Sequence, residues 1–382
     1  MSIYLDNSAT SYPKPEVVHQ AVGDFSRNVG VSSGRGAYQR ALKADQIIYQ
    51  TRSSLAQLFG IDDLTRIAFT FCATDSINLL LFGLLESGDH VIASAMEHNA
   101  VWRCLMALQR RGCIEVSTVP HDNSGNMLVE EIPEMVREDT RLIVSTSASN
   151  VTGTLMPVRK LGQIADDAGV LFLVDAAQTA GVLPMNVDES GIDMLAFTGH
   201  KGLLGPQGTG GFYVREGVNL RPVRYGGTGS ESRLERQPDV LPDRFEAGTL
   251  NGPGLAGLGA GVDFILKQGV EQIFEKEKEL LRHTLEKLSS LEKLTLYGPC
   301  DPDRQMAVLS FNIEGLRAEE VTYALDQKYG IMVRAGLHCS PMAHRVTGTI
   351  DRGAVRVSFG YFNTQEDVGT LTDALEEICR LL

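Results

Sequence analysis

A lysine flanked by glycines is the first sign of chemistry in this 382-residue chain. Residues 199–206 read Gly-His-Lys-Gly-Leu-Leu-Gly-Pro, directly after the apolar run Met-Leu-Ala-Phe-Thr at 194–198. A lysine shielded from water loses part of its proton affinity and becomes a nucleophile. A solvated turn lysine is the plain alternative. Four further polar sites follow short apolar runs in the same way. Cys72-Ala73-Thr74 stands before a helical pattern, either as an N-cap or as a phosphate cradle of free backbone N–H groups. Glu97-His98-Asn99 offers an imidazole, catalytic or capping. Ser149-Asn150-Val151-Thr152-Gly153 is a polar turn built on Asn and Gly. Asp175 ends a very apolar run and leads into Ala176-Ala177-Gln178; it either caps a helix or faces a ligand cation, because a buried acid is costly unpaired.

These sites need a scaffold that carries them to one edge. β-Rich apolar runs occur at 66–71, 90–95, 115–119, 141–147, 170–174, 194–198 and 210–214. Several are apolar on both faces, as covered parallel strands must be. Helical patterns at 74–86, 97–111, 129–138 and 157–168 separate most of them. That alternation predicts an α/β fold with a large, mostly parallel seven-stranded sheet. Ligands of such sheets bind beyond the carboxyl ends of the strands, where the five polar sites lie. Together they suit a phosphorylated cofactor with an aldehyde and a ring nitrogen: pyridoxal 5'-phosphate held by lysine, with an acid on its pyridine nitrogen.

After residue 215 the rhythm changes. A Gly/Pro/Arg-rich stretch runs to about 253, followed by helical patterns at 254–268 and 270–290. The remainder reads strand 306–313, helix 318–329, strands 331–334 and 354–358, and helix 365–381. The expected division is a large domain over 15–253 and a small α+β domain made of 1–14 and 254–382.

Composition narrows the function classes. With 35 Lys+Arg against 48 Asp+Glu the net charge is −13, which argues against nucleic acid and anionic membranes as partners. No apolar run is long enough for a transmembrane helix, and the start MSIYLDNSAT does not read as a signal peptide, so the expected compartment is the cytoplasm. The six cysteines (Cys72, Cys104, Cys113, Cys300, Cys339, Cys379) include no C-x-x-C pair, so no metal site is expected.

Nine runs carry a family resemblance: YLDNSAT at 4–10, ATDSINL at 73–79, EHNA at 97–100, SNVTGT at 149–154, DAAQTAG at 175–181, TGHKGLLGPQGTG at 198–210, RFEAGTLN at 244–251, RAGLHC at 334–339 and RVSFGYFNT at 356–364. By these the chain resembles the class V aminotransferases among fold-type I pyridoxal-phosphate enzymes. Within that family it is similar to the cysteine desulfurases and selenocysteine lyases of the Suf/Csd-like branch. The resemblance implies that Lys201 carries the cofactor, Asp175 keeps its ring nitrogen protonated, Gln178 bonds the ring hydroxyl and His98 stacks on the ring, with proton transfer to or from the substrate as its further catalytic role. It implies phosphate contacts from Ala73, Thr74, Thr198 and His200, and from Thr249 of a second subunit, hence a homodimer with shared sites. Asn150, expected to touch the cofactor too, and Arg356 should hold the substrate carboxylate, Arg356 as a fork.

Cys339 should take the sulfur of L-cysteine as a persulfide, favoured as a thiolate by Arg334 and His338, leaving L-alanine. A thiol or an acceptor protein would then collect the sulfur for iron–sulfur clusters, thiolated tRNA or a cofactor. Selenocysteine lyase, cysteine-sulfinate desulfinase, transaminase or epimerase chemistry would use the same scaffold, and a silent sulfur-transfer scaffold is the reading from outside enzymology. Three places depart from the branch: Cys72, Leu337, and the segment 340–353.

Overall fold

The computed structural model describes residues 2–34 and 36–381. The chain opens with a short strand β1 (Ile3–Tyr4) and helix α1 (Glu16–Asp24), which runs into a π-helical turn at Phe25–Val29. A 21-residue helix α2 (Gln39–Phe59) follows. Neither helix stands out in the sequence. The buried face of α2 is built from Ala41, Ala44, Thr51, Arg52 and Ala56 as much as from Leu55 and Phe59, so no strong 3.6-residue apolar period marks it.

Next come β2 (Ile67–Thr70), α3 (Ala73–Leu84), β3 (Asp89–Ser94), α4 (Asn99–Arg110), β4 (Ile114–Val119), α5 (Ile132–Met135), β5 (Thr140–Thr146), α6 (Val158–Ala168), β6 (Leu171–Asp175), β7 (Met194–Thr198) and β8 (Gly210–Val214). The helix expected over 129–138 shrinks to a 3-10 turn plus the single turn of α5, because Val136 leaves it in an extended conformation. The seven strands form one sheet in the order β2-β8-β7-β6-β5-β3-β4. Only β8 runs against its neighbours. Strands β2, β7 and β8 are buried along their whole length, which is why they read as continuous apolar runs.

The stretch from 215 to 251 contains no helix or strand. Ion pairs and carbonyl contacts tie it down. Arg221 donates to the Leu85 carbonyl at 2.7 Å, and Arg224 pairs with Asp75. Glu246 meets buried Arg52 in a two-point fork at 2.9 and 3.1 Å and also accepts the Phe69 N–H at 2.7 Å.

Helix α7 (Gly252–Gln268) follows. Its glycines give up helix propensity but allow close packing. A Cβ on Gly259 would lie 2.5 Å from Thr51 Oγ1, and one on Gly257 2.6 Å from Val22. Leu255, Leu258, Val262 and Ile265 of α7 therefore join the core beneath the large sheet. The division drawn at 253/254 thus meets a helix whose apolar face belongs with the first unit.

The second core is built by α8 (Val270–Leu288), β9 (Leu294–Tyr297), β10 (Val308–Ile313), α9 (Ala318–Tyr329), β11 (Ile331–Met332), β12 (Arg334–Gly336), β13 (Ala354–Ser358) and α11 (Gln365–Arg380), with Leu5 contributed from the N-terminus, while α10 (Pro341–Val346) packs its Ala343 against Met96, Val151 and Met156. Its antiparallel sheet has the order β12-β13-β10-β9, while β1 pairs in parallel with β11. Among the described residues no helix is long and apolar enough to cross a membrane, and no cluster of His, Cys, Asp and Glu is arranged to hold a metal ion.

Candidate active site

A cavity of about 240 Å³ lies between the carboxyl edge of the large sheet and the loops of the small one. Lys201 opens into it from the turn after β7. The turn allows no side chains at its flanks: a Cβ on Gly199 would stand 2.1 Å from Thr209 Oγ1, and one on Gly202 2.5 Å from the Ala180 carbonyl. The N-terminal segment holds the same turn from the other side. Thr10 Oγ1 and the Ser11 N–H donate to the His200 carbonyl at 3.0 Å, Lys14 Nζ donates to it at 2.7 Å, and Ser11 Oγ donates to the Lys201 carbonyl at 2.8 Å. Burial lowers the Lys201 ammonium to about 8; Asp175 opposes the shift, and Arg356 and Arg334 add to it.

Asp175 ends β6 and is 3% exposed. Oδ1 accepts the Ala177 N–H at 2.9 Å, yet burial still pushes the carboxyl above its usual range, with the Lys201 charge opposing. Such an acid lacks a close cationic partner. Gln178 follows in the same loop, and its Nε2 donates to the Ser8 carbonyl at 3.3 Å.

The same cavity holds polar atoms without partners. Thr198 Oγ1 and His200 Nδ1 are buried with no partner. Ala73 and Thr74 open α3, whose N-cap residue Cys72 makes no side-chain capping bond. A helix N-terminus with unused N–H groups beside a hydroxyl and an imidazole fits a phosphate. An amine of lowered pKa, a lone buried acid and a phosphate cradle match the aldehyde, ring nitrogen and phosphate of pyridoxal phosphate.

His98 caps α4: its Nδ1 accepts the Ala100 N–H at 3.0 Å. Burial, Lys201 and Arg356 lower its pKa to about 4, so the ring is neutral and keeps its proton on Nε2. It can donate from Nε2 but has no free lone pair there to act as a base. Glu97 beside it carries a signal that sequence reasoning passed over, an acid in the turn that follows a buried strand. It is fully buried; Oε1 accepts the Thr146 N–H at 2.5 Å, and Oε2 has no partner. Burial and the nearby Asp175 hold it well above the usual carboxylate range.

Arg356 on β13 is 2% exposed. Its guanidinium donates to Asp6 Oδ1 at 2.6 Å and to the Asn150 carbonyl at 3.0 Å, while Nε stays unpaired. The fork expected for a substrate carboxylate is thus partly engaged by the protein's own acid. Arg334 sits directly opposite Arg356 across β12 and β13. Two facing cations are unfavourable unless an anion joins them, and Asp6 supplies one.

Asn150 also lines the cavity, but its amide already serves the cysteine loop: Nδ2 donates to the His338 carbonyl at 2.7 Å, and Oδ1 accepts from Ser340 Oγ at 2.6 Å. Cys339 is exposed, borders the cavity, and also borders an adjoining groove of about 350 Å³ between α3 and α4. His338 does not supply the cation expected beside it. Its Nε2 bonds the Ala354 carbonyl at 3.1 Å, and burial together with Arg356 lowers its pKa to about 2, leaving it neutral.

Eleven of the residues named from sequence therefore meet at one cavity: Ala73, Thr74, His98, Asn150, Asp175, Gln178, Thr198, His200, Lys201, Cys339 and Arg356. Thr249 does not; it lines separate surface grooves.

Scaffold and cavity together define an α/β enzyme of the pyridoxal-phosphate type. The chain belongs to the class-V aminotransferase family, whose sequence profile matches residues 3–371. It is 36% identical to a probable cysteine desulfurase of Methanothermobacter thermautotrophicus, over 98% of this chain and 94% of that protein. The apo structure of a cysteine desulfurase from Thermococcus onnurineus NA1 superposes with a TM-score of 0.95 at 33% identity, covering 100% of this chain and 95% of that one. The Escherichia coli cysteine desulfurase CsdA, in its S-sulfonic acid form, gives a TM-score of 0.89 at 28% identity, over 100% and 95% of the two chains. The family is pyridoxal-phosphate dependent.

The lowered Lys201 pKa has a testable consequence. Only the neutral amine attacks an aldehyde. Uptake of pyridoxal phosphate by the cofactor-free protein, followed by absorbance, should rise roughly tenfold per pH unit below 8 and level off above it. A rate that still climbs at the same slope through pH 9–10 would mean the amine has its ordinary basicity.

Proposed function

We propose that the protein is a pyridoxal-phosphate-dependent cysteine desulfurase that converts L-cysteine to L-alanine and passes the sulfur to Cys339. The observation that carries this reading is an exposed thiol, Cys339, bordering the same 240 Å³ cavity as the low-pKa amine of Lys201. Bound at this site, the cofactor supplies an electron sink for bond changes at the substrate α-carbon. Asp175 keeps the ring nitrogen protonated, and the donors at Thr198, His200 and the start of α3 hold the phosphate. Arg356 and the spare N–H of Asn150 orient the substrate carboxylate. Lys201 removes the α-proton and returns a proton during the reaction. The Cys339 thiolate forms a bond to the substrate sulfur as the substrate Cβ–S bond breaks. The electron pair stays with the carbon, which is protonated on the way to alanine. His98, neutral with its proton on Nε2, donates a hydrogen bond and packs beside the ring.

Sulfur then leaves Cys339 to a thiol or an acceptor protein, in keeping with supply to iron–sulfur cluster assembly. All six cysteines are free, which suits a reducing compartment, the cytoplasm. The working unit in this reading is a homodimer. Exposed Tyr49 on α2 and exposed Phe71 line the surface grooves that contain Thr249, and Tyr38 and Leu42 at the start of α2 are also more than half exposed. In this reading a second copy covers that face and contributes its Thr249 to the phosphate.

Two experiments test the reading. Cys339→Ala should retain the cofactor spectrum but lose alanine release from L-cysteine by about a hundredfold or more; undiminished release would overturn the persulfide step. Sedimentation should give twice the chain mass, and Thr249→Ala should weaken cofactor binding about tenfold. A monomer, or unchanged affinity, would remove Thr249 from the site.

A further inference from the structure

Two consecutive non-glycine residues, His338 and Cys339, have left-handed backbones, with φ of 48° and 59°. Such a conformation costs on the order of 1 kcal/mol per residue and persists only where the surroundings enforce it. The enforcing contacts come from the far side of the cavity. The loop leaves β12 of the small sheet. Its anchors are Asn99, at the start of α4, and Asn150, in the turn after β5. The Asn99 N–H donates to the Cys339 carbonyl at 2.8 Å. Asn150 grips the residues on either side of the cysteine through opposite ends of one amide, the His338 carbonyl at 2.7 Å and Ser340 Oγ at 2.6 Å. Ser340 is fully buried and does not line the cavity, so its hydroxyl acts on the site only through Asn150.

We propose that Ser340 and Asn150 form a latch, joining the small unit to the large one, that fixes Cys339 over the reacting atoms; both are positioning residues for the sulfur step. The proposal rests on the desulfurase reading. An amide has two N–H donors and two acceptor lone pairs. The latch spends one of each, which leaves one N–H for a substrate carboxylate. A single side chain thus touches both the substrate and the loop that attacks it. The Ser340 hydroxyl fixes the amide's orientation: it donates to Oδ1, so Nδ2 must face His338. Misplacing a nucleophile by about 1 Å can cost up to a hundredfold in rate, so the latch should act on turnover and not on substrate binding.

The decisive variant is Ser340→Ala, studied as holoenzyme. It should lower kcat for alanine release about tenfold or more and leave KM for L-cysteine and the cofactor absorbance essentially unchanged. Amide hydrogen exchange over residues 337–341 should speed up, with exchange in β3 as an unaffected internal control. Ser340→Thr, which keeps the hydroxyl, should restore both kcat and protection. Should Ser340→Ala fold poorly, Asn150→Asp removes the donor to His338 at constant shape and should give the same loss of protection. Unchanged kcat and unchanged exchange in Ser340→Ala would overturn the latch. So would a raised KM with intact kcat, which would make the hydroxyl a substrate-binding aid only. If the parent protein releases no alanine, the desulfurase reading fails, while the exchange measurement still decides whether the latch exists.

Discussion

Taking an ammonium and a carboxyl out of water at the edge of one sheet is the constraint around which this molecule is arranged. Burial pulls Lys201 down to about 8 and pushes Asp175 up. Neither group is satisfied by a near neighbour of full opposite charge. Such groups are tolerable only where a ligand completes them and a rigid frame holds them apart. The frame is the pair of neighbouring, almost wholly buried strands β6 and β7, from whose adjacent ends the two residues emerge. Glu97 and His98 extend the same logic: burial pushes the Glu97 carboxyl well above its usual range and lowers the His98 imidazole to about 4.

The N-terminal segment joins this edge to the second unit. Ile3 and Tyr4 pair with β11, and Leu5 enters the small core. Asp6 meets Arg356, and Asn7 Nδ2 donates to the Ser358 carbonyl at 3.0 Å. Four residues further on, Thr10, Ser11 and Lys14 converge on the turn that carries Lys201. One short stretch therefore fixes the distance between the amine on the large sheet and the arginines on the small one. The contacts of Asn99 and Asn150 with the cysteine loop do the same on the opposite side of the cavity. Chemistry that needs Lys201 and Cys339 on one substrate requires both seams.

Much of this was legible in the sequence because its causes are local. Strands covered on both faces leave apolar runs that need no partner to be recognised, and polar residues at their ends stand out against them. A lysine between glycines is visible for the same reason. What stayed hidden depends on distant pairing. Asp6 and Arg356 are 350 positions apart, and nothing near Asp6 announces a guanidinium. Ser340 looks like an ordinary residue before a proline until Asn150, 190 positions away, is placed against it. Helix α2 is hard to see in the sequence because its buried face includes alanines, a threonine and an arginine, and α7 straddles the two units, with Leu258 and Val262 in the large core and Phe264 packed on Tyr361 and Phe362. The expected cationic help from His338 failed for a tertiary reason too, since burial keeps that ring neutral.

The central claim is that Cys339 receives sulfur from a substrate activated at Lys201. The most direct measurement gives L-cysteine to the cofactor-loaded protein without any reducing thiol, then counts the alanine formed and weighs the Cys339 peptide. The account predicts close to one alanine per active site, after which turnover stalls, with one extra sulfur on Cys339 that a reducing thiol removes as activity resumes. Continuous alanine and sulfide release with an unmodified Cys339 peptide would contradict it.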